Sequence, residues 1–117
     1  MNMADWETEL SDIMPFVLEE RRRLHQHPEV GGQEQWTRAE LTRVLEEMGL
    51  TVTTFEDTCC LMTSIQGSVP GKCLAIRADI DGLPVAEDTG LPFASCCPGR
   101  MHACGHDAHM ALALGTA

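Results

Sequence analysis

The window Met101-His102-Ala103-Cys104-Gly105-His106-Asp107-Ala108-His109 gathers three of the chain's five histidines with a cysteine and an aspartate. In an extended segment, residues two apart point to the same face, so Cys104 and His106 would project together. A thiolate and an imidazole are both good ligands for zinc and its neighbours, at about 2.3 Å and about 2.0 Å from the ion. Gly105 between them permits an unusual backbone angle and close approach to an ion. Asp107 would fall at a helix start, where its charge is favoured, and could orient a ligand histidine. The plainer reading remains open: Cys104 as a small buried hydrophobe, with the histidines as surface or capping residues.

A second dense stretch is Arg77-Ala78-Asp79-Ile80-Asp81-Gly82-Leu83-Pro84. Asp79 and Asp81 sit just past an expected strand, and open α/β sheets bind ligands off the carboxyl ends of their strands. Two carboxylates there could bind a metal or hold a metal ligand. Ordinary turn chemistry explains Asp-Gly-Leu-Pro equally well. His25-Gln26-His27-Pro28-Glu29 has the residue types of a ligand pair, but reads better as a helix end carrying polar surface residues. The adjacent pairs Cys59-Cys60 and Cys96-Cys97 lack metal-knuckle spacing and read as structural.

The elements that must position these groups follow from periodicity. Trp6, Leu10, Ile13, Met14, Val17, Leu18 and Leu24 form an apolar helical stripe behind an N-cap at Asp5, with a kink or split expected at Pro15. The run Arg21-Arg22-Arg23 falls late in this helix, where it complements the dipole. A second helix begins near Glu34 or at Thr37, with Thr37 and Glu40 as a capping box and Leu41, Val44, Leu45 and Met48 as its buried face. Gly49 is placed to end it in the left-handed conformation. Strands are expected over 51–55, 60–66 and 72–78, the last nearly continuous in apolar character, as suits a central strand. A long loop follows, then an apolar helix from Asp107. The pattern is α/β, a sheet with packed helices. The last helix is apolar on several sides and expects burial, so the sequence reads as the front of a larger domain.

Composition narrows the function. With 117 residues the chain is one domain at most. The formal net charge of −10 disfavours nucleic acid as a partner, since phosphate binding needs a basic face. No run of about 20 apolar residues could span a membrane, and early acidic residues argue against a signal peptide. The six cysteines, two pairs of them adjacent, read as reduced thiols of a cytoplasmic protein.

Four blocks in order then resemble a known family: Arg23 to Glu29, Arg77 to Pro84, Glu87-Asp88-Thr89-Gly90-Leu91-Pro92-Phe93-Ala94-Ser95, and Pro98 to His109. Together they are similar to the N-terminal part of the hippurate hydrolase and auxin-conjugate hydrolase branch of the aminoacylase and carboxypeptidase-G metallopeptidases. The resemblance covers essentially the whole chain. It implies a zinc-exopeptidase-like catalytic domain, here truncated, with residues 1–117 its N-terminal portion and the lid and dimerisation domain absent. It implies an N-acyl amino acid amidohydrolase using two divalent ions, zinc or manganese, and a full-length protein that is a homo-oligomer. Carried over by position, Cys104 and His106 are the metal ligands and Asp81 and Asp107 support them. Asp79 stands where the wider family often has a ligand histidine, and is not expected to be a ligand here. The ions would lower the pKa of a bound water to about 7 and polarise the substrate carbonyl. A glutamate general base and the remaining ligands are expected beyond Ala117, so the chain alone should be inactive.

Two other readings stand beside it. One is a small metal-binding or interaction module without catalysis, which would need a closed site such as Cys96, Cys97, Cys104 and His106. The other is a thiol hydrolase with Cys104 as nucleophile and His102 or His106 as base.

Overall fold

A computed structural model describes residues 2–117, and the architecture is α/β. Helix α1 spans Met3–His25, α2 Gln35–Glu47, and α3 His106–Thr116. A two-stranded antiparallel sheet joins β1, Val52–Thr54, to β2, Leu61–Thr63, with Val52 opposite Thr63 and Thr54 opposite Leu61.

The start of α1 is fixed by a reciprocal capping box. Asn2 Oδ1 accepts from the Asp5 backbone N–H at 3.1 Å, and Asp5 Oδ2 accepts from the Asn2 backbone N–H at 2.9 Å. Asp5 is therefore the third helical residue, not the cap. The helix also runs through Pro15 without splitting. A proline costs one backbone hydrogen bond there, which does not outweigh the packing of Val17 and Leu24 on the other elements.

Helix α2 starts earlier than the Thr37 alternative, and no side chain of its own caps it. Glu29 does so from the preceding loop. Its Oε1 accepts from the Thr37 backbone N–H and from Thr37 Oγ1, both at 2.6 Å, and its Oε2 accepts from the Trp36 backbone N–H at 3.1 Å. These are orphan donors of a first turn, and a carboxylate satisfies them with favourable charge. Glu40, expected to complete a local box, instead accepts from Arg23 Nε at 2.6 Å and from Arg43 Nη2 at 2.8 Å. The far end closes as expected: Gly49 has φ +82°, its N–H donates to Glu46 O, and the Leu50 N–H donates to Leu45 O.

The core is Leu24, Leu41, Val44, Leu45, Met110 and Leu114, so all three helices contribute. Helices α1 and α3 approach closely enough that a Cβ on Gly115 would stand 2.5 Å from Val17 Cγ2.

The expected central strand over 72–78 is not formed. This segment belongs to no ladder, and Leu74 and Ile76 are 86% and 59% exposed. A strand is defined by its hydrogen-bonded neighbours, and the described residues offer this one none. The two strands that do form are shorter than expected for the same reason, since each is paired on one edge only.

Candidate metal centre

Three loop segments meet beside the start of α3. The Gly82 N–H donates to Glu29 O at 2.6 Å, and Val30 bridges Gly82 in parallel sense. Leu83 and Met101 exchange backbone hydrogen bonds at 2.8 and 3.0 Å. The crossing is tight at Gly82, where a Cβ would lie 2.8 Å from Pro28 Cβ and 3.3 Å from Met101 O. Only glycine fits that approach. The crossing fixes the 79–83 segment against the segment that leads into the motif. Gly105, at φ +96°, then turns the chain into α3.

This arrangement brings together His106 and Asp81. His106 Nδ1 lies 2.9 Å from both the backbone O and Oδ1 of Asp81. One N–H shared by two oxygens fixes the ring and its tautomer. Nε2 is then left with its lone pair, and Asp79 Oδ2 lies 3.9 Å from it. The His106 side chain is 16% exposed and the Cys104 residue is exposed. A histidine held at Nδ1 by a carboxylate or carbonyl is the usual preparation of a metal-ligating Nε2. The donors thus suit a divalent ion, while the shell they offer is incomplete. Among the described residues, no three His, Cys, Asp or Glu side chains converge to hold a metal. The closed site of Cys96, Cys97, Cys104 and His106 is accordingly not formed. Among the described residues neither His102 nitrogen has a hydrogen-bond partner, so no Cys104–His102 pair is formed, and His106 Nδ1 is held by Asp81.

Asp107 sits in the first turn of α3, as expected, but its carboxylate turns away from the His106 ring. It is 1% exposed, and its Oδ2 accepts from Arg21 Nε at 2.9 Å and from His25 Nδ1 at 2.7 Å. The orienting partner of His106 is Asp81 instead.

His25 was expected at the surface and is 2% exposed. Its second nitrogen, Nε2, meets Glu87 Oε1 at 2.9 Å. Burial works against the Glu87 charge, but hydrogen bonds from Thr89 Oγ1, His25 and the Ser95 backbone N–H outweigh it, and the carboxyl is held down at about 2. Phe93 packs edge-on against His25 and under the guanidinium groups of Arg21 and Arg22. Within the basic run, Arg21 pairs with Asp107 and Arg23 with Glu40, and among the described residues Arg22 has no carboxylate partner. His102 is also buried, and burial lowers its pKa against the opposing pull of Asp107.

Residues 75–117, the part carrying both aspartates and the motif, match the model of "Peptidase family M20/M25/M40". Over that segment the chain is similar to the M20 peptidases. A Streptococcus pneumoniae N-acetyldiaminopimelate deacetylase is 48% identical over 106 residues, covering 85% of this chain and 27% of the relative. A Synechocystis protein named a probable hydrolase is 47% identical over 110 residues, covering 90% of this chain and 27% of its own length. Among solved structures, a dinuclear metal-binding M20 peptidase of Bacillus subtilis superposes with a TM-score of 0.84 at 42% identity, covering 91% of this chain and 30% of that one. A structure described as an aminohydrolase from methicillin-resistant Staphylococcus aureus gives 0.86 at 45% identity, covering 97% of this chain and 30% of that one. The chain thus spans less than a third of the length of the relatives it matches. The finer placement in the hippurate and auxin-conjugate hydrolase branch is not distinguished by these relatives.

Proposed function

We propose that this chain provides one wall of the metal site of an amidohydrolase that cleaves N-acyl amino acids or related short substrates. The observation that carries the reading is the His106 ring, fixed at Nδ1 by Asp81 with Nε2 left free. The similarity to a dinuclear metal-binding peptidase and to a deacetylase of an N-acetylated amino acid supports it.

In this reading Cys104 and His106 are ligands to one or both of two divalent ions, zinc or manganese. Bound there, the ions would supply Lewis acidity toward the amide carbonyl and an acidified water. Asp81 keeps His106 in the Nδ1–H tautomer, so that Nε2 keeps its lone pair for a metal ion. Asp107 supports the motif from beneath, through α3. A general-base glutamate and further ligands come from polypeptide outside residues 1–117, which make up the N-terminal portion of the catalytic domain. The 117-residue chain alone is inactive.

A chimera tests this. The matching segment of the Staphylococcus aureus relative is replaced by residues 1–117. The chimera should release amino acid from an N-acetyl amino acid, and lose that activity on chelation and in a His106→Ala variant. A folded chimera whose activity survives both treatments would contradict the proposal.

A further inference from the structure

A deeply buried polar cluster lies behind the two residues assigned as metal ligands. Arg21, His25, Glu87 and Asp107 form a line of alternating charge. Arg21 Nε and His25 Nδ1 both donate to Asp107 Oδ2, and His25 Nε2 donates to Glu87 Oε1. The side chains of His25, Glu87 and Asp107 are 2%, 3% and 1% exposed. Both His25 nitrogens meet carboxylate oxygens, Nδ1 at Asp107 and Nε2 at Glu87. Arg21 Nη2 also stands 3.5 Å from Nδ1, too far to compete with the Asp107 contact.

His25 is the member that hydrogen-bonds to two separate parts of the site's framework. On one side is the first turn of α3, on the other the loop carrying Glu87. That loop is tied to the end of α1 again by the Cys96 N–H, which donates to Gln26 O at 2.8 Å. Asp107 Oδ1 is buried with no partner. Among the described residues, His25 and Arg21 are the side chains that contact the Asp107 carboxylate, beside the favourable field of the α3 N-terminus. Asp107 directly follows His106, so whatever fixes its carboxylate also fixes the turn on which His106 is mounted.

We propose that His25 is a positioning residue for the metal motif: clamped between Glu87 and Asp107, it sets the first turn of α3 and so holds His106 Nδ1 on Asp81. The clamp rests on the reading of Cys104 and His106 as ligands only in its last consequence, the metal affinity. Its geometric part is separate from that reading. Without His25, Asp107 keeps only the Arg21 contact, from a side chain that is 32% exposed. A buried carboxylate so weakly matched moves toward water and carries the turn with it. The His106 ring would then lose its single orientation.

The test uses the whole 117-residue chain, free of metal. Nitrogen-15 NMR reads the His106 ring tautomer in the wild type, in His25→Ala and in Val44→Ala. Val44 is buried in the core, so its variant lowers stability without touching the clamp. Each variant is read well below its melting temperature. The wild type and Val44→Ala should show one His106 tautomer, with the proton on Nδ1, and His25→Ala a mixture. A Zn(II) titration of the same samples should show affinity reduced roughly ten- to hundredfold in His25→Ala alone. Should His25→Ala fail to fold, Glu87→Gln, which removes the charge from the other end of the clamp, should show the same two changes to a smaller degree. An unchanged His106 tautomer in whichever of the two variants folds overturns the proposal, as does an equal change in Val44→Ala. A wild type that takes up no Zn(II) but shows the tautomer change contradicts the ligand reading and upholds the clamp.

Discussion

Glu87→Gln should remove a defined part of the chain's acid sensitivity. The Glu87 carboxyl is held at about 2 in the folded chain against an ordinary 4.5. Its side chain is 3% exposed, so solvent does little to weaken the effect. A displacement of that size is worth about 3 kcal/mol at about 1.4 kcal/mol per pH unit. The sign follows from the direction. A carboxyl whose folded pKa lies below its unfolded one binds fewer protons when folded, so its contribution is complete above the unfolded value. It is lost as the pH falls from about 4.5 to about 2. Urea unfolding followed by circular dichroism, repeated across that window, gives both stabilities. The wild type should be more stable than Glu87→Gln at neutral pH, and the gap should close by about 3 kcal/mol by the acid end. Other carboxyls titrate in both proteins and largely cancel in the difference. Glu20, for example, has a pKa raised by burial and by the charge of Glu40. A gap that stays constant from neutral to acid pH would refute the idea that hydrogen bonds from Thr89, His25 and Ser95 hold the charged form.

Two further substitutions test the framework around the site. Glu29→Ala strips the first turn of α2 of its acceptor and should cost about 1–2 kcal/mol in denaturant unfolding; no measurable loss would mean that solvent caps this helix equally well. Gly115→Ala gains up to about 1 kcal/mol of helix propensity but drives a methyl into Val17, and should be destabilising on balance by about 1–2 kcal/mol, read as a lowered melting temperature.

The parts of the site legible in the sequence were those whose residues lie close together along it. Cys104, His106, Asp107 and the pair Asp79 and Asp81 stand in two short windows, and both windows lie within the family match. What sequence reading missed depends on long-range pairing. His25 meets Asp107 across 82 positions and Glu87 across 62, and nothing local marks those meetings. One signal was available. The His-Pro-Glu stretch after the first helix and the Glu87 loop both lie within the four family-like blocks. Glu29 was missed because a cap supplied from eight positions upstream has no box-like spacing. The strand over 72–78 was misjudged for a different reason. Apolar character can mark a segment as suited to the centre of a sheet, but it cannot supply the neighbours. The length of α1 shows the opposite balance, since tertiary packing carried the helix past the proline that propensity would have broken.

Zn(II) binding to the 117-residue chain, with the variants Cys104→Ser and His106→Ala, tests the central claim most directly. The account predicts weak, reversible uptake by the wild type, lost in either variant, because two ligands fall short of the three protein ligands of an ordinary catalytic zinc site. Tight stoichiometric zinc in the wild type, or uptake that both variants retain, would contradict it.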